Sequence, residues 1–250
     1  MGERKKLLIL GGTEGARRLA GRLAEHSGLA VITSLAGRTS RPEAISGAMR
    51  RGGFGGVAGL QAYLAEEQIS LVVDATHPFA EVMSQNAAKA CAALGLSLLR
   101  LTRPPWTPQE SDSWVPVADA PAAAAKLPGL GQRVFLTTGH KDLAAFAKLD
   151  ETWFLIRLID PPKDPLPLKR VEVVLARGPF DTASEIALFR EHRIEALVTK
   201  NSGGTATAAK LAAARELALP VVMIERPALP PGEGVATSEE AEAWVRERLA

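Results

Sequence analysis

Four short stretches combine small residues, hydroxyls and cations at the ends of apolar runs, and each points to anion binding. Gly11-Gly12-Thr13 follows the run that ends at Leu10, with Gly15 in the next turn and Arg17 just beyond it. Lys200-Asn201-Ser202-Gly203-Gly204 follows a second apolar run at 196–199. Both read as strand–loop–helix units whose loops aim backbone N–H groups at whatever sits in front of the helix. Asp74-Ala75-Thr76-His77-Pro78 ends a third apolar run, and residues 134–143 (VFLTTGHKDL) bring His140 and Lys141 to the end of a fourth. The chemistry predicted is the holding of phosphate and carboxylate groups, with His77, His140 and Lys200 as the titratable groups nearest to it.

Glycine allows positive φ and close backbone approach, and Thr13 adds a hydroxyl donor, so residues 11–13 suit a phosphate. The second strand leads into Ser34-Leu35-Ala36-Gly37-Arg38-Thr39. In dinucleotide-binding folds an acid near this point accepts the ribose hydroxyls, whereas an arginine receives a 2′-phosphate. No acid is present and Arg38 stands between small polar residues, which predicts a 2′-phosphate and a preference for NADPH. Thr76 and His77 border the same cleft, and Pro78 suits the first turn of a helix. On the second half, Arg157, Lys163, Lys169 and Arg177 add cations to Lys141 and Lys200, a supply that would suit a polyanionic substrate.

Strand and helix periodicities alternate along most of the chain, which predicts parallel sheets with helical crossovers. Strands are expected at 7–10, 30–35, 71–75 and 98–101, with helices after residue 16, at 60–67 and after Pro78. Together they make a Rossmann-like domain over residues 1–103. Residues 104–118, opening on Pro104-Pro105-Trp106-Thr107-Pro108, are expected to be a linker, because each proline removes a donor and restricts its neighbour. Residues 119–250 restart the alternation as a second α/β domain on the substrate side, with strands at 134–138, 154–159, 171–176, 196–199 and 220–224. Helices are expected from Lys141, at 182–191, after the SGG loop and at 239–249; the final helix could dock on either domain. The fold class predicted is α/β, two Rossmann-like parallel-sheet domains with the active site in the cleft between them.

A formal charge of +2 is too small for general nucleic-acid binding, and 5% aromatic residues leave few stacking platforms. No apolar run reaches membrane-spanning length, and the GERKK start lacks a following signal-peptide core, so a cytoplasmic location is expected. The single cysteine, Cys91, forms no internal disulfide. It shares a helical spacing with Phe79, Val82, Met83, Ala87, Ala90 and Leu94, which reads as one buried face. Cys91 and the histidines His26, His77, His140 and His192 lack metal-ligand spacing, so no metal is expected.

The stretches GGTEGARRLA, AGRT, VVDATHPFA, LLRLTRPPW, VFLTTGHKDL, ARGPF, TKNSGG and KLAAARELALPVVMIERP run in order through nearly the whole chain. With them the chain resembles the precorrin-6x reductase family of cobalamin biosynthesis. One departure is that Gly15 stands where the family's first loop usually has glutamate, with Glu14 before it. The resemblance implies an NADPH-dependent oxidoreductase acting on a CH–CH bond, reducing one double bond of precorrin-6A to give precorrin-6B. It implies Gly11, Gly12, Thr13 and Arg17 by the diphosphate, and Ser34, Arg38 and Thr39 by the 2′-phosphate. Asp74, Thr76, His77 and Pro78 would lie nearer the nicotinamide ribose. Lys141, Lys200, Asn201, Ser202 and Gly203 would face substrate carboxylates or the nicotinamide end, with Lys200, His140 or water as proton donor. The partners implied are the tetrapyrrole and, for hand-over, neighbouring enzymes of the pathway.

Alternatives remain at this level. A reductase of the cobalt-containing analogue, in the anaerobic branch, leaves no distinguishing mark. A non-catalytic NADPH-sensing protein would share the first domain but has no need of a second set of anion-binding loops. A short-chain carbonyl reductase needs tyrosine with lysine four residues on; here Tyr63 is followed by Glu67.

Overall fold

A computed structural model of the chain describes residues 4–37 and 44–249. Two compact units emerge, one formed by 1–104 with 227–250, the other by 105–226. Each holds one six-stranded, wholly parallel sheet.

In the first unit the strands are β1 (Lys5–Leu10), β2 (Leu29–Leu35), β3 (Ala48–Arg51), β4 (Ile69–Asp74) and β5 (Ser97–Leu101), interleaved with α1 (Glu14–Leu23), α2 (Gly56–Glu66) and α3 (Glu81–Leu94). The second unit runs β6 (Trp114–Val117), α4 (Ala120–Lys126), β7 (Arg133–Leu136), a 3₁₀ helix (His140–Phe146), β8 (Trp153–Leu158) and β9 (Val171–Leu175). It continues with α5 (Thr182–Glu191), β10 (Ala196–Lys200), α6 (Ala209–Glu216) and β11 (Val221–Ile224). The chain then returns to the first unit with β12 (Glu233–Val235) and α7 (Ser238–Leu249).

Across the first sheet the strands stand β3-β2-β1-β4-β5-β12. The winding reverses between β1 and β4, which places the topological switch point at their carboxyl ends. The second sheet repeats the plan as β9-β8-β7-β10-β11-β6, with its switch point between β7 and β10. The outermost strand beyond the switch is the last of its unit in the first sheet (β12) and the first of its unit in the second (β6). The central strands are buried on both faces, as continuous apolar runs such as LLIL and VVD require.

The α7 helix packs Ala241, Trp244 and Val245 beside Ala16, Leu19, Ala20 and Leu23 of α1 in one core. Its first turn is closed by a capping box: the Thr237 hydroxyl accepts from Glu240 N–H at 3.2 Å while the Glu240 carboxylate accepts from Thr237 N–H at 3.0 Å. The second domain expected over 119–250 therefore ends at Arg226, and residues 227–250, whose final helix could have docked on either domain, belong to the first unit.

Several expectations need correction. The stretch expected as a linker carries β6, whose Pro116 is tolerated because β6 is an edge strand pairing only with β11. The first sheet has six strands where four were expected, and α2 begins at Gly56, earlier than residue 60. Val82 (72% exposed) and Leu94 (41%) stand off the buried face of α3, while Ala87, Ala90 and Cys91 lie on it. The loop after β10 does not open a helix directly: a turn closed by Ala208 N–H to Thr205 carbonyl precedes α6. No helix among the described residues is long and apolar enough to cross a membrane.

Candidate functional site

Strand register gathers the candidates of the first unit. Leu10 pairs with Ser34 on one side and Asp74 on the other, Ser34 pairs with Arg50, and Asp74 with Arg100. One row across the carboxyl end of the sheet therefore reads Arg50–Ser34–Leu10–Asp74–Arg100, with Gly11, Gly12 and Thr13 rising from its middle. That is the switch point, where open α/β sheets bind ligands.

The loop after β1 is built from backbone. Gly11 N–H donates to the Ser34 carbonyl at 2.8 Å, and a Cβ on Gly11 would lie 2.9 Å from Thr33 Cγ2. Gly12 adopts φ +110°, with nothing within 4 Å of the position a Cβ would take. Only glycine meets both conditions at low cost, and the space in front of α1 stays open.

Thr13 caps α1, its hydroxyl accepting from Ala16 N–H at 3.2 Å and donating to the Ala75 carbonyl at 2.7 Å. A hydroxyl has one proton, and Thr13 has committed it. Its work is to pin the β4 loop to the start of α1; the expected extra donor to a phosphate is absent. Thr76 is similarly engaged, since its N–H (3.1 Å) and hydroxyl (2.7 Å) both donate to Oδ1 of buried Asp74. His77 Nδ1 accepts from Phe79 N–H at 3.2 Å, which puts the proton of the neutral ring on Nε2. Pro78 is buried in the turn that Ala80 N–H closes on the His77 carbonyl at 2.7 Å, ahead of α3 and outside its first turn.

Arg17 lies exposed on α1. Arg38 and Thr39 fall outside the described residues. Two cations that the sequence reading did not assign to the site stand here instead. Arg50 Nη1 donates to Ser34 Oγ at 2.9 Å. Arg103 is half-buried, and burial pulls its pKa down from the ordinary arginine value while the Glu14 carboxylate at the start of α1 opposes that shift. The glycines around Phe54 mark a turn after Arg51, but the exposed AMRR stretch before it gives no strand signal, so Arg50 could not be placed from the sequence.

At the second switch point the picture differs more from expectation. Lys200 ends β10 and its Nζ lies 2.5 Å from Asp142 Oδ2, an ion pair with both side chains largely buried. Asn201 turns both ends of its amide to Trp106, the Oδ1 accepting from its N–H at 2.7 Å and the Nδ2 donating to its carbonyl at 3.0 Å. The Asn201 and Ser202 carbonyls accept from Arg226 at 2.9 and 3.0 Å, and Trp106 Nε1 donates to the Gly204 carbonyl at 2.7 Å. This loop is braced on several sides, and Asn201 in particular serves the structure. Buried Gly203 lies within it. His140 and Lys141 are exposed at the start of the 3₁₀ helix that carries Asp142. Asp142 went unassigned because only tertiary contact pairs it with Lys200. Arg157 is not available to a substrate: Glu185 holds it in a buried two-point ion pair at 2.6 and 3.1 Å. No group of three or more His, Cys, Asp and Glu side chains gathers as a metal-ligand set among the described residues.

The chain matches the family model described as Precorrin-6x reductase CbiJ/CobK over residues 6–246. It belongs to the precorrin-6x reductase family. A precorrin-6A reductase of Rhodococcus erythropolis is 50% identical over 241 residues, covering 96% of this chain and 97% of the relative. One from Rhodobacter capsulatus is 48% identical over 240 residues, covering 96% and 95%. A solved structure of CobK precorrin-6A reductase superposes with a TM-score of 0.91 at 47% identity, covering 97% of this chain and 96% of that one. The precorrin-6x reductases are oxidoreductases of cobalamin biosynthesis, and the expected enzyme class and α/β fold stand.

Proposed function

We propose that this chain reduces one double bond of precorrin-6A to give precorrin-6B, with NADPH as the reductant. The observation that carries the reading is the row at the first switch point, where an open glycine loop and helix start meet a strand end with Ser34 and no acid. The residues fit the dinucleotide: Gly11, Gly12 and Arg17 would hold its diphosphate, and Ser34 with Arg38 and Thr39 its 2′-phosphate. Asp74, Thr76, His77 and Pro78 would shape the nicotinamide-ribose end, and Thr13 keeps these two loops in register. When bound, NADPH supplies a hydride; the protein's part is alignment, charge matching and exclusion of water.

The second unit would receive the macrocycle's carboxylates through Lys141, Ser202 and Gly203. A proton must reach the carbon beside the reduced one; Lys200, oriented by Asp142, exposed His140 and water are the donors on offer. Both relatives reported above are named for precorrin-6A, which favours it over the cobalt-containing analogue. The test is to mix the purified protein with NADPH and precorrin-6A and follow the nicotinamide band beside the macrocycle spectrum. Coupled changes support the reading. NADPH binding without oxidation moves the assay to cobalt-precorrin-6A, and inactivity there too favours a nucleotide sensor.

A further inference from the structure

We infer that Arg50 is a positioning residue for the adenosine end of the dinucleotide site, holding the Ser34 hydroxyl as a donor to the 2′-phosphate. The inference rests on the nucleotide reading above. Ser34 and Arg50 face each other in register on β2 and β3, and Ser34 is buried (6% exposed). Arg50 Nη1 donates to Ser34 Oγ at 2.9 Å and to the Gly52 carbonyl at 3.1 Å, and Nη2 donates to the Gly53 carbonyl at 3.2 Å. The guanidinium lies 3.9 Å from the Phe54 ring centroid and 4.8 Å from that of Tyr63. Those rings meet edge to face, 5.2 Å apart, so the cation is fixed by hydrogen bonds in its plane and by aromatic rings around it.

The consequence for Ser34 follows from its inventory. A hydroxyl has one proton and two lone pairs, and Arg50 occupies a lone pair. The proton is then left to donate, and among the described residues no acceptor takes it. Residues 29–37 and 44–56 contain no aspartate or glutamate. The end of β2 therefore presents a donor polarised by a fixed cation where an NAD-type site would present an acid, and that arrangement favours an added phosphate. Lysine cannot replace Arg50, because one ammonium on a flexible stem does not reproduce the planar fork that reaches Ser34, Gly52 and Gly53 together.

The test measures dissociation constants for NADPH and NADH, by reduced-nicotinamide fluorescence, in the wild type, Arg50→Met, Ser34→Ala and the double variant. Each single change is expected to weaken NADPH on the order of tenfold. NADH should stay within about twofold, and the double variant should lose no more than the worse single one. Arg50→Lys should not rescue. Equal losses for both nucleotides, or additive losses in the double variant, overturn the inference. If Arg50→Met fails to fold, Ser34→Ala decides alone: an unchanged ratio of NADPH to NADH affinity overturns it. A wild-type protein that binds neither nucleotide would instead sink the nucleotide reading itself.

Discussion

Asn201 grips the backbone of Trp106 at both ends of its amide, one bond accepted and one donated. Asn201→Ala should cost about 1–3 kcal/mol through the two lost hydrogen bonds. That corresponds to a fall in Tm of roughly 2–4 °C per kcal/mol for a domain of this size. Asn201→Asp should be no better, since it sets an oxygen against the Trp106 carbonyl. NADPH affinity should not move in either variant; a selective loss of NADPH binding with unchanged Tm would place Asn201 in the nucleotide site instead.

Lys200→Met removes the ammonium but keeps the stem beside Asp142. The expected result is a fall of at least about tenfold in kcat/KM with NADPH affinity within about twofold of wild type. Collapse of NADPH binding alone would show that Lys200 serves the nucleotide.

Gly12→Ala has room for its methyl but must hold it at φ +110°. Strain of about 1–3 kcal/mol is expected in thermal unfolding. The methyl also enters the open space before α1, so the dissociation constant for NADPH should rise; unchanged affinity would remove the diphosphate from this loop.

Arg157 and Glu185 form a buried pair, so Glu185→Ala should destabilise by about 3–5 kcal/mol by stranding the guanidinium. Arg157→Met with Glu185→Leu should recover most of that in a denaturant titration. A double variant as weak as the single one would mean the pair itself contributes the stability.

The Cys91 thiol gives a pH signature. Burial, with the nearby Asp74 charge second, pushes its pKa from 9.0 up to about 11. The folded state therefore keeps the proton while the unfolded thiol ionises, so this stability is fully present below pH 9 and lost as pH rises through about 11. The loss amounts to about 2–3 kcal/mol. Cys91→Ala should flatten the stability profile between those values; an unchanged slope would assign it to other groups.

Much of this architecture was legible because the central strands are buried on both faces and read as apolar runs. The α5 helix was found at its true bounds. Of the edge strands only β9 was read: β3 (AMRR) is mostly exposed, β6 contains a proline and β12 is three residues long. The pairing of β6 with β11 and of β12 with β5 depends on partners far along the chain, which local pattern cannot report. The site followed the same division. Glycine and threonine after a strand marked the loops, but where each hydrogen bond goes was invisible. Thr13 to Ala75, Lys200 to Asp142 and Asn201 to Trp106 are all tertiary facts, and they changed the part each residue plays.

The return of β12 and α7 to the first unit has a consequence for biosynthesis. The ribosome must deliver the whole second unit before Ala241, Trp244 and Val245 can reach α1. At roughly 5–20 residues per second that is a delay on the order of ten seconds. During that interval the N-terminal unit waits with one side of α1 uncovered, a natural client for a chaperone that shields apolar surface on nascent chains.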